Sequence, residues 1–270
     1  MATSTNLCSV LVPSCDAYAD LWTPFFNLFW KYWPDCPFPV YLGSNQRDFE
    51  RPGVVVLNVG DDANWTNCTR EQLLKIKTPY VLLCLEDFFF RRPVRTPDVA
   101  SCLEALSALD GHVMRLVRRP GPDSSVAGWP NVGAMSPGAP YRVSMQAAIW
   151  NRSSLLALMQ ENESIWEFEM SGSERSKRSP TGFYGVTSDV LHYRHHVVQQ
   201  GKWFPWNAWQ FARAGIGCDF SARAVMTSSE TAIFLYRKSR SMLLNAIPWR
   251  KRLRLKAWIR QHDRFSLTGR

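Results

Sequence analysis

The segment Thr78 to Pro93, TPYVLLCLEDFFFRRP, constrains this chain more than any other. From Tyr80 to Leu85 the residues are apolar without alternation, as in a strand buried on both faces, and such strands belong to mostly parallel sheets. Pro79 opens the segment and Pro93 closes it. Between them the apolar run stops at two adjacent carboxylates, Glu86 and Asp87, before Phe88, Phe89 and Phe90 resume it. Open parallel sheets bind their ligands just beyond the carboxyl ends of the strands. An ionised carboxylate is costly to bury there unless a cation or hydrogen-bond donors meet it. A divalent metal carrying the phosphates of a nucleotide would satisfy both acids.

Around this segment strands and helices alternate. Ser9 to Pro13 reads as a strand, residues 17–33 as an aromatic helix in which Pro24 sits in the first turn or makes a kink, and Pro37 to Leu42 and Gly53 to Val59 as further strands. Asp61 to Thr69 reads as a polar turn and Arg70 to Lys77 as a helix capped by Thr69. Pro97 to Leu109 reads as a helix and Gly111 to Val117 as a strand. That order predicts an α/β, doubly wound layer. Gly121 to Pro140 is rich in Gly, Pro and Ser and reads as a long loop over a site or a disordered excursion. Tyr141 to Trp150 reads as a strand with Arg142, Ser144 and Gln146 alternating against apolar neighbours. A helix capped by Asn151 or Ser153 follows, then a helix over 163–178 that dissolves into a charged loop. Phe183 to Tyr193 and Val197 to Trp206 read as strands or irregular connections.

Composition narrows the class. Seven scattered cysteines without a C-x-x-C pair argue for reduced thiols in a cytoplasmic setting and against a disulfide framework or a structural zinc. No apolar run approaches the ~20 residues of a membrane span, and the N-terminus lacks a basic n-region. The Asn-x-Ser/Thr triplets at Asn64, Asn67, Asn151 and Asn162 are then chance occurrences. The net charge is +9. From Arg237 to Arg264, Arg and Lys interleave with Leu, Ile and Trp, as in an interfacial helix lying on an anionic membrane surface at the inner face, or in one docking its apolar side on the core. Residues 237–270 are thus set apart as a basic amphipathic C-terminal tail from a domain over 1–236. The basic charge follows no RNA-binding or zinc-finger pattern, and a nucleic-acid partner is not expected.

In the order of its parts the chain resembles glycosyltransferases of the GT-A fold, particularly small bacterial transferases of surface polysaccharides. The resemblance spans about Ser9 to Trp206. It is carried by SVLVPSCDAY, LLCLEDFF, YRVSMQAAIW and WEFE. It implies a Rossmann-like, mostly parallel twisted sheet flanked by helices. It also implies a nucleotide-sugar donor, a UDP-sugar being favoured, and a glycan or lipid-linked glycan acceptor in hexosyltransferase-type chemistry. By the same resemblance Ser14 and Asp16 would contact the nucleotide, and Glu86 and Asp87 would stand where such enzymes hold Mn²⁺ or Mg²⁺. This chain departs from the family there, since its acids are adjacent instead of spaced as Asp-x-Asp, and adjacent strand side chains point to opposite faces. Both can serve one metal only if the strand has ended by Glu86.

The resemblance also implies a carboxylate after the acceptor-side strand that removes the acceptor's proton in an inverting transfer. Glu169 is the first candidate and Glu167 the second; both could equally be solvated helical acids. Trp166 could stack on a sugar face or belong to the core. Gln146 and Ser144 could bind hydroxyls or face water. Arg175, Lys177 and Arg178 could close over a diphosphate, and His195 and His196 could add a metal ligand or a phosphate contact. The alternative class is a non-catalytic carbohydrate- or membrane-surface-binding protein, suggested by 12 tryptophans and the basic tail. Deleting residues 237–270 is expected to weaken pelleting with anionic liposomes; unchanged sedimentation would show that the basic segment does not hold the chain on lipid.

Overall fold

The computed structural model describes residues 7–61, 64–194, 197–246, 249 and 251. His195 and His196, and most of the tail beyond Ala246, lie outside the described residues. The chain forms two compact units, residues 1–224 and 225–270.

The first unit opens with β1 (Cys8–Val12), a 3-10 helix (Asp16–Leu21), α1 (Trp22–Tyr32), β2 (Val40–Ser44), β3 (Val54–Asn58), α2 (Trp65–Lys75), β4 (Tyr80–Leu83), β5 (Phe89–Phe90) and α3 (Thr96–Ala108). It continues with β6 (Val113–Arg115), β7 (Ser124–Val126), β8 (Trp129–Ala134), β9 (Ala148–Asn151), α4 (Arg152–Leu158) and α5 (Ile165–Ser176). β10 (Phe183–Val186), the short strands β11 (Tyr193–Arg194), β12 (Val198–Gln199) and β13 (Lys202–Trp203), and α6 (Pro205–Ala214) complete it. The second unit carries α7 (Ser228–Ala246). This helix runs through Arg237, where the sequence alone set the tail's start, so a truncation that removes the whole element begins at Ser228.

The main sheet has the order β3-β2-β1-β4-β9-β6-β10-β8-β7. β1 to β4 pair in parallel, β9 runs against both β4 and β6, and β10 is parallel to β6. β1, β2, β3, β4, β6 and β10 therefore share one direction, and their carboxyl ends form one edge. The mostly parallel α/β sheet flanked by helices is the architecture the sequence implied.

Both faces are covered, as the unalternating apolar run at β4 demanded. Val10, Val12 and Leu82 face one way, among Phe25, Phe26 and Phe29 of α1 and Leu103 and Leu106 of α3. Leu11, Val81 and Leu83 face the other, among Leu73 of α2, Leu155 of α4 and Phe168 of α5. Alternate residues of one strand thus enter two different cores.

Three local expectations are corrected. α2 begins at Trp65, not Arg70: Asn64 caps it by accepting from the Asn67 amide, and Thr69 is a buried residue within it. The Gly/Pro/Ser-rich stretch is no loose loop, because β7 and β8 pair within it and β8 joins the sheet along β10. Gly128, at φ +78°, supplies the left-handed turn residue between them.

The third correction lies between residues 141 and 147, where only the end of the expected strand forms. Arg142 does not alternate toward water; it is 1% exposed. Its Nε donates to Met135 O (3.0 Å), Nη1 to Ser176 O (2.6 Å) and Ser179 O (2.8 Å), and Nη2 to Pro180 O (3.2 Å). Its guanidinium lies 4.0 Å from the Phe183 ring centroid. Arg115, on β6, reaches the same region and donates to Pro120 O, Tyr141 O (2.6 Å) and Arg142 O (3.3 Å). Two buried guanidiniums thus replace a sheet ladder in satisfying these carbonyls.

Arg142→Ala leaves four carbonyls short of a donor. It is expected to destabilise the unit by about 3 kcal/mol, lowering the melting temperature by roughly 6–12 °C. Thermal melting followed by circular dichroism tests this, and a curve matching the wild type would mean the guanidinium contributes nothing to stability.

Candidate functional site

Three turns at the carboxyl edge assemble the site. After β1 the chain enters the 3-10 helix, whose first residue is Asp16. One oxygen of Asp16 accepts from Ser44 Oγ (2.9 Å) and from the amides of Asn45 (3.0 Å), Gln46 (3.3 Å) and Arg47 (3.3 Å). Burial pushes this carboxyl up, but the bonds from Ser44, Arg47, Asn45 and Gln46 outweigh it and hold the pKa below the ordinary value. Asp16 therefore fastens the end of β1 to the loop after β2. Ser14 Oγ accepts from Trp22 Nε1 (2.8 Å), which ties it to α1. Both residues stand at the carboxyl edge of the sheet with side-chain oxygens engaged locally.

The acid pair lies three residues past the end of β4, in a turn. The strand has ended before Glu86, so the opposed orientation of adjacent strand residues does not apply. Glu86 is 8% exposed. Oδ1 of Asp87 is buried with no hydrogen-bond partner among the described residues. Burial, then the neighbouring Asp87 charge, pushes Glu86 up to about 8, and burial pushes Asp87 up to about 6. The cation whose charge reaches both acids is Arg223. It is already clamped to Asp20, Nε to Oδ2 at 2.9 Å and Nη2 to Oδ1 at 2.8 Å. Its guanidinium also covers the Tyr18 ring at 4.7 Å. Burial is the reason both values are raised, and one guanidinium shared among three carboxylates offsets only part of it.

The third turn precedes β9. Glu169 Oε1 accepts from the Met145 amide at 2.7 Å, in the segment that Arg115 and Arg142 anchor. Burial raises its pKa, with the Met145 and Ser144 hydrogen bonds and the Arg115 charge opposing. Gln146 Oε1 accepts from Tyr193 Oη at 2.7 Å, and the Tyr193 ring stacks on Phe88 at 4.4 Å. Tyr193 feels the charges of both Arg115 and Asp87, and Arg115 feels Glu169. Tyr193 and Arg115 therefore link the two acidic constellations.

Glu167 is engaged in capping α5, and Trp166 is exposed on the same helix. Glu167 Oε2 accepts from the Ser164 amide (2.8 Å) while Ser164 Oγ accepts from the Glu167 amide (3.3 Å), a reciprocal cap on α5. Trp166 is 73% exposed. Arg175 donates to both oxygens of Glu163 at 2.7 Å and so is not free to close over a ligand, and Lys177 pairs with Glu174. Sequence reasoning missed Tyr18, Asp20, Arg115, Tyr193 and Arg223. Tyr18 sits inside a motif it had singled out, but Arg223 meets Asp20 across 203 residues of chain, and no spacing rule spans that.

Among the described residues no group of three or more His, Cys, Asp or Glu side chains could hold a metal ion unaided. The orphaned Asp87 oxygen beside Glu86 fits a cation that brings most of its own ligands, as Mg²⁺ or Mn²⁺ does on a diphosphate.

No family model matches the chain, and no curated protein matches it. Among solved structures it is similar to S. aureus TarS. To the crystal structure of TarS 1-349 it is 12% identical over 69% of this chain and 59% of that one, with a TM-score of 0.46. To the same form in complex with UDP-GlcNAc it is 13% identical over 69% and 57%, with a TM-score of 0.45. To a further crystal structure of S. aureus TarS it is 12% identical over 69% and 36%, with a TM-score of 0.44. The chain spans less than two thirds of the length of each. Likeness at this level assigns no activity or ligand to the chain.

The raised acids set a pH dependence. The folded protein keeps protons that the unfolded chain releases, so stability falls as pH rises from the ordinary Glu value of 4.5 through about 8 and levels above it. Glu86→Gln is expected to flatten most of that decline in melting temperature. A variant whose melting temperature falls with pH as steeply as the wild type's would show that Glu86 is solvated.

Proposed function

We propose that the chain is a nucleotide-sugar-dependent glycosyltransferase that moves a hexosyl group from a UDP-sugar to a glycan or lipid-linked glycan, with inversion. The observation that supports it most is the buried, charge-deficient acid pair at the carboxyl edge of a parallel sheet. Glu86 and Asp87 would hold Mn²⁺ or Mg²⁺ together with diphosphate oxygens and water. When bound, that ion supplies positive charge to the departing diphosphate.

The protein's own residues do the rest. The turn at Asp16 and Asn45 shapes the rim where the nucleotide rests. Arg223, held by Asp20, keeps a positive charge beside the acid pair. Glu169 accepts the proton of the acceptor hydroxyl as the new bond to the sugar forms and the bond to the diphosphate breaks. Its environment suits that role, because partial burial raises a carboxylate's basicity while the Met145 amide fixes its direction. Gln146 and Tyr193 line the space between base and donor, where acceptor hydroxyls would be oriented. Glu167, engaged in its cap, leaves the base to Glu169.

A second reading, a carbohydrate- or membrane-surface binder, is favoured by Trp206 and Trp209 on α6. They stack at 5.2 Å while 57% and 53% exposed. Calorimetric titration with UDP and Mn²⁺ separates the two, because a binder of surfaces would give no heat. In the transferase, Asp87→Ala and Glu169→Gln are each expected to lower kcat by about 10²–10⁴ while Glu167→Gln retains turnover. UDP-sugar turnover assays with matched melting curves check this, and full activity in both Asp87→Ala and Glu169→Gln would defeat the proposal.

A further inference from the structure

On the same carboxyl edge, past β6 and β10, a cavity of about 150 Å³ is lined by Arg91, Arg118, Arg119, His192, Asp189 and Tyr193 among others. Among the described residues no carboxylate pairs with Arg91, Arg118 or Arg119. Asp189, the one acid in the wall, accepts from the Arg118 amide at 2.8 Å, so its charge is partly engaged by backbone. Three exposed arginines lining one small space concentrate positive charge there, and the fork of each suits a phosphate or carboxylate oxygen pair. The Arg91 amide is fixed by a bond to His192 O at 2.9 Å, which holds Arg91 and His192 together at the rim.

The position separates this cluster from the proposed donor site and yet connects it. β6 lies two strands from β4, roughly 10 Å at the usual strand spacing, which sets Arg118 and Arg119 apart from Glu86 and Asp87, while Arg91 follows β5 directly after the acid turn. Tyr193 forms a wall of the cavity and also bonds Gln146 and stacks on Phe88, the residue after Asp87. Asp189 also borders a second cavity of about 450 Å³, with Trp129, Asn131 and Ser188 in its wall. An aromatic ring with amide and hydroxyl groups suits a sugar or polyol.

We infer that the acceptor is an anionic glycan, whose phosphate or carboxylate is held by Arg91, Arg118 and Arg119 while its neutral part runs past Asp189 toward Trp129. The inference rests on the transferase reading of the acid pair and names the acceptor's charge. Only an acceptor-side anion would be bound at the same time as the nucleotide.

The test is calorimetric titration of the full chain with inorganic pyrophosphate in the presence of saturating UDP. Salt at about 0.15 M shortens the reach of diffuse attraction to ~8 Å. The wild type is expected to bind. Arg118→Ala/Arg119→Ala is expected to weaken pyrophosphate binding by about tenfold or more with UDP affinity unchanged. Arg237→Ala/Lys238→Ala, on α7, should change neither. Wild-type pyrophosphate affinity in the Arg118/Arg119 variant would overturn the inference. So would loss of pyrophosphate binding once UDP is added, which would make the cluster part of the donor site. If UDP itself does not bind, the transferase reading fails and the acceptor assignment fails with it. Pyrophosphate binding that is still lost in the Arg118/Arg119 variant would then mark an anion site with another purpose.

Discussion

Two carboxylates withdrawn from water with one shared, already committed guanidinium nearby are the constraint around which this chain is arranged. Such a pair is tolerated only where the surrounding fold over-determines its position. Here the fold does so because β4 is sealed on both faces by separate apolar cores, and it delivers its carboxyl end to the same edge as β1, β6 and β10. The phenylalanines that follow reinforce the placement. Phe89 and Phe90 are buried, with Phe90 against Phe25 and Phe29 of α1, and Phe88 stacks on Tyr193. The turn bearing the acids is therefore held by the buried strand before it and by buried rings after it, and its burial raises the pKa of both acids.

The opposite side of the site is held by cations where a sheet ladder would be expected. Arg115 and Arg142 satisfy carbonyls from four separate stretches of chain, and the irregular segment they hold presents the Met145 amide to Glu169. An interior guanidinium demands many acceptors, and irregular backbone offers many unpaired carbonyls. Each resolves the other's cost, and the outcome is a fixed direction for one carboxylate oxygen.

What could be read in the sequence follows from which forces are local. The acid-terminated strand was legible because burial on both faces leaves an unbroken apolar run, α1 and α3 were legible through spacing, and the Asn151 cap of α4 through its residue type. The β7–β8 hairpin was not, since Gly128, Pro122 and exposed serines look like loop chemistry until edge pairing with β10 is known. The strand expected over 141–150 failed for a related reason: the Arg, Ser and Gln alternation matched period two, but Arg142 and Ser144 are buried by long-range hydrogen bonding that periodicity does not register. At the site, the residues found from sequence were those that interrupt an apolar pattern, Glu86 and Asp87. Those missed, Arg223 and Tyr193, come from stretches with no pattern to interrupt.

The two ends of the carboxyl edge carry opposite deficits. Near β1 and β4 carboxyls outnumber cations, Asp20, Glu86 and Asp87 standing against Arg223, and the excess becomes negative charge as Glu86 and Asp87 lose their protons; near β6 and β10 there is excess positive charge, in Arg91, Arg118 and Arg119 against Asp189. A single anion bound across both would be attracted at one end and repelled at the other unless a cation accompanied it at the acidic end. Two separate guests resolve the asymmetry: one arriving with a divalent cation at the acids, the other bringing its own negative charge to the arginines. Tyr193, neutral at ordinary pH and kept so further by burial, bonds Gln146 without adding charge to either end. In the proposed transferase the bond-forming atoms would meet beside it, in the one part of the edge where neither field dominates.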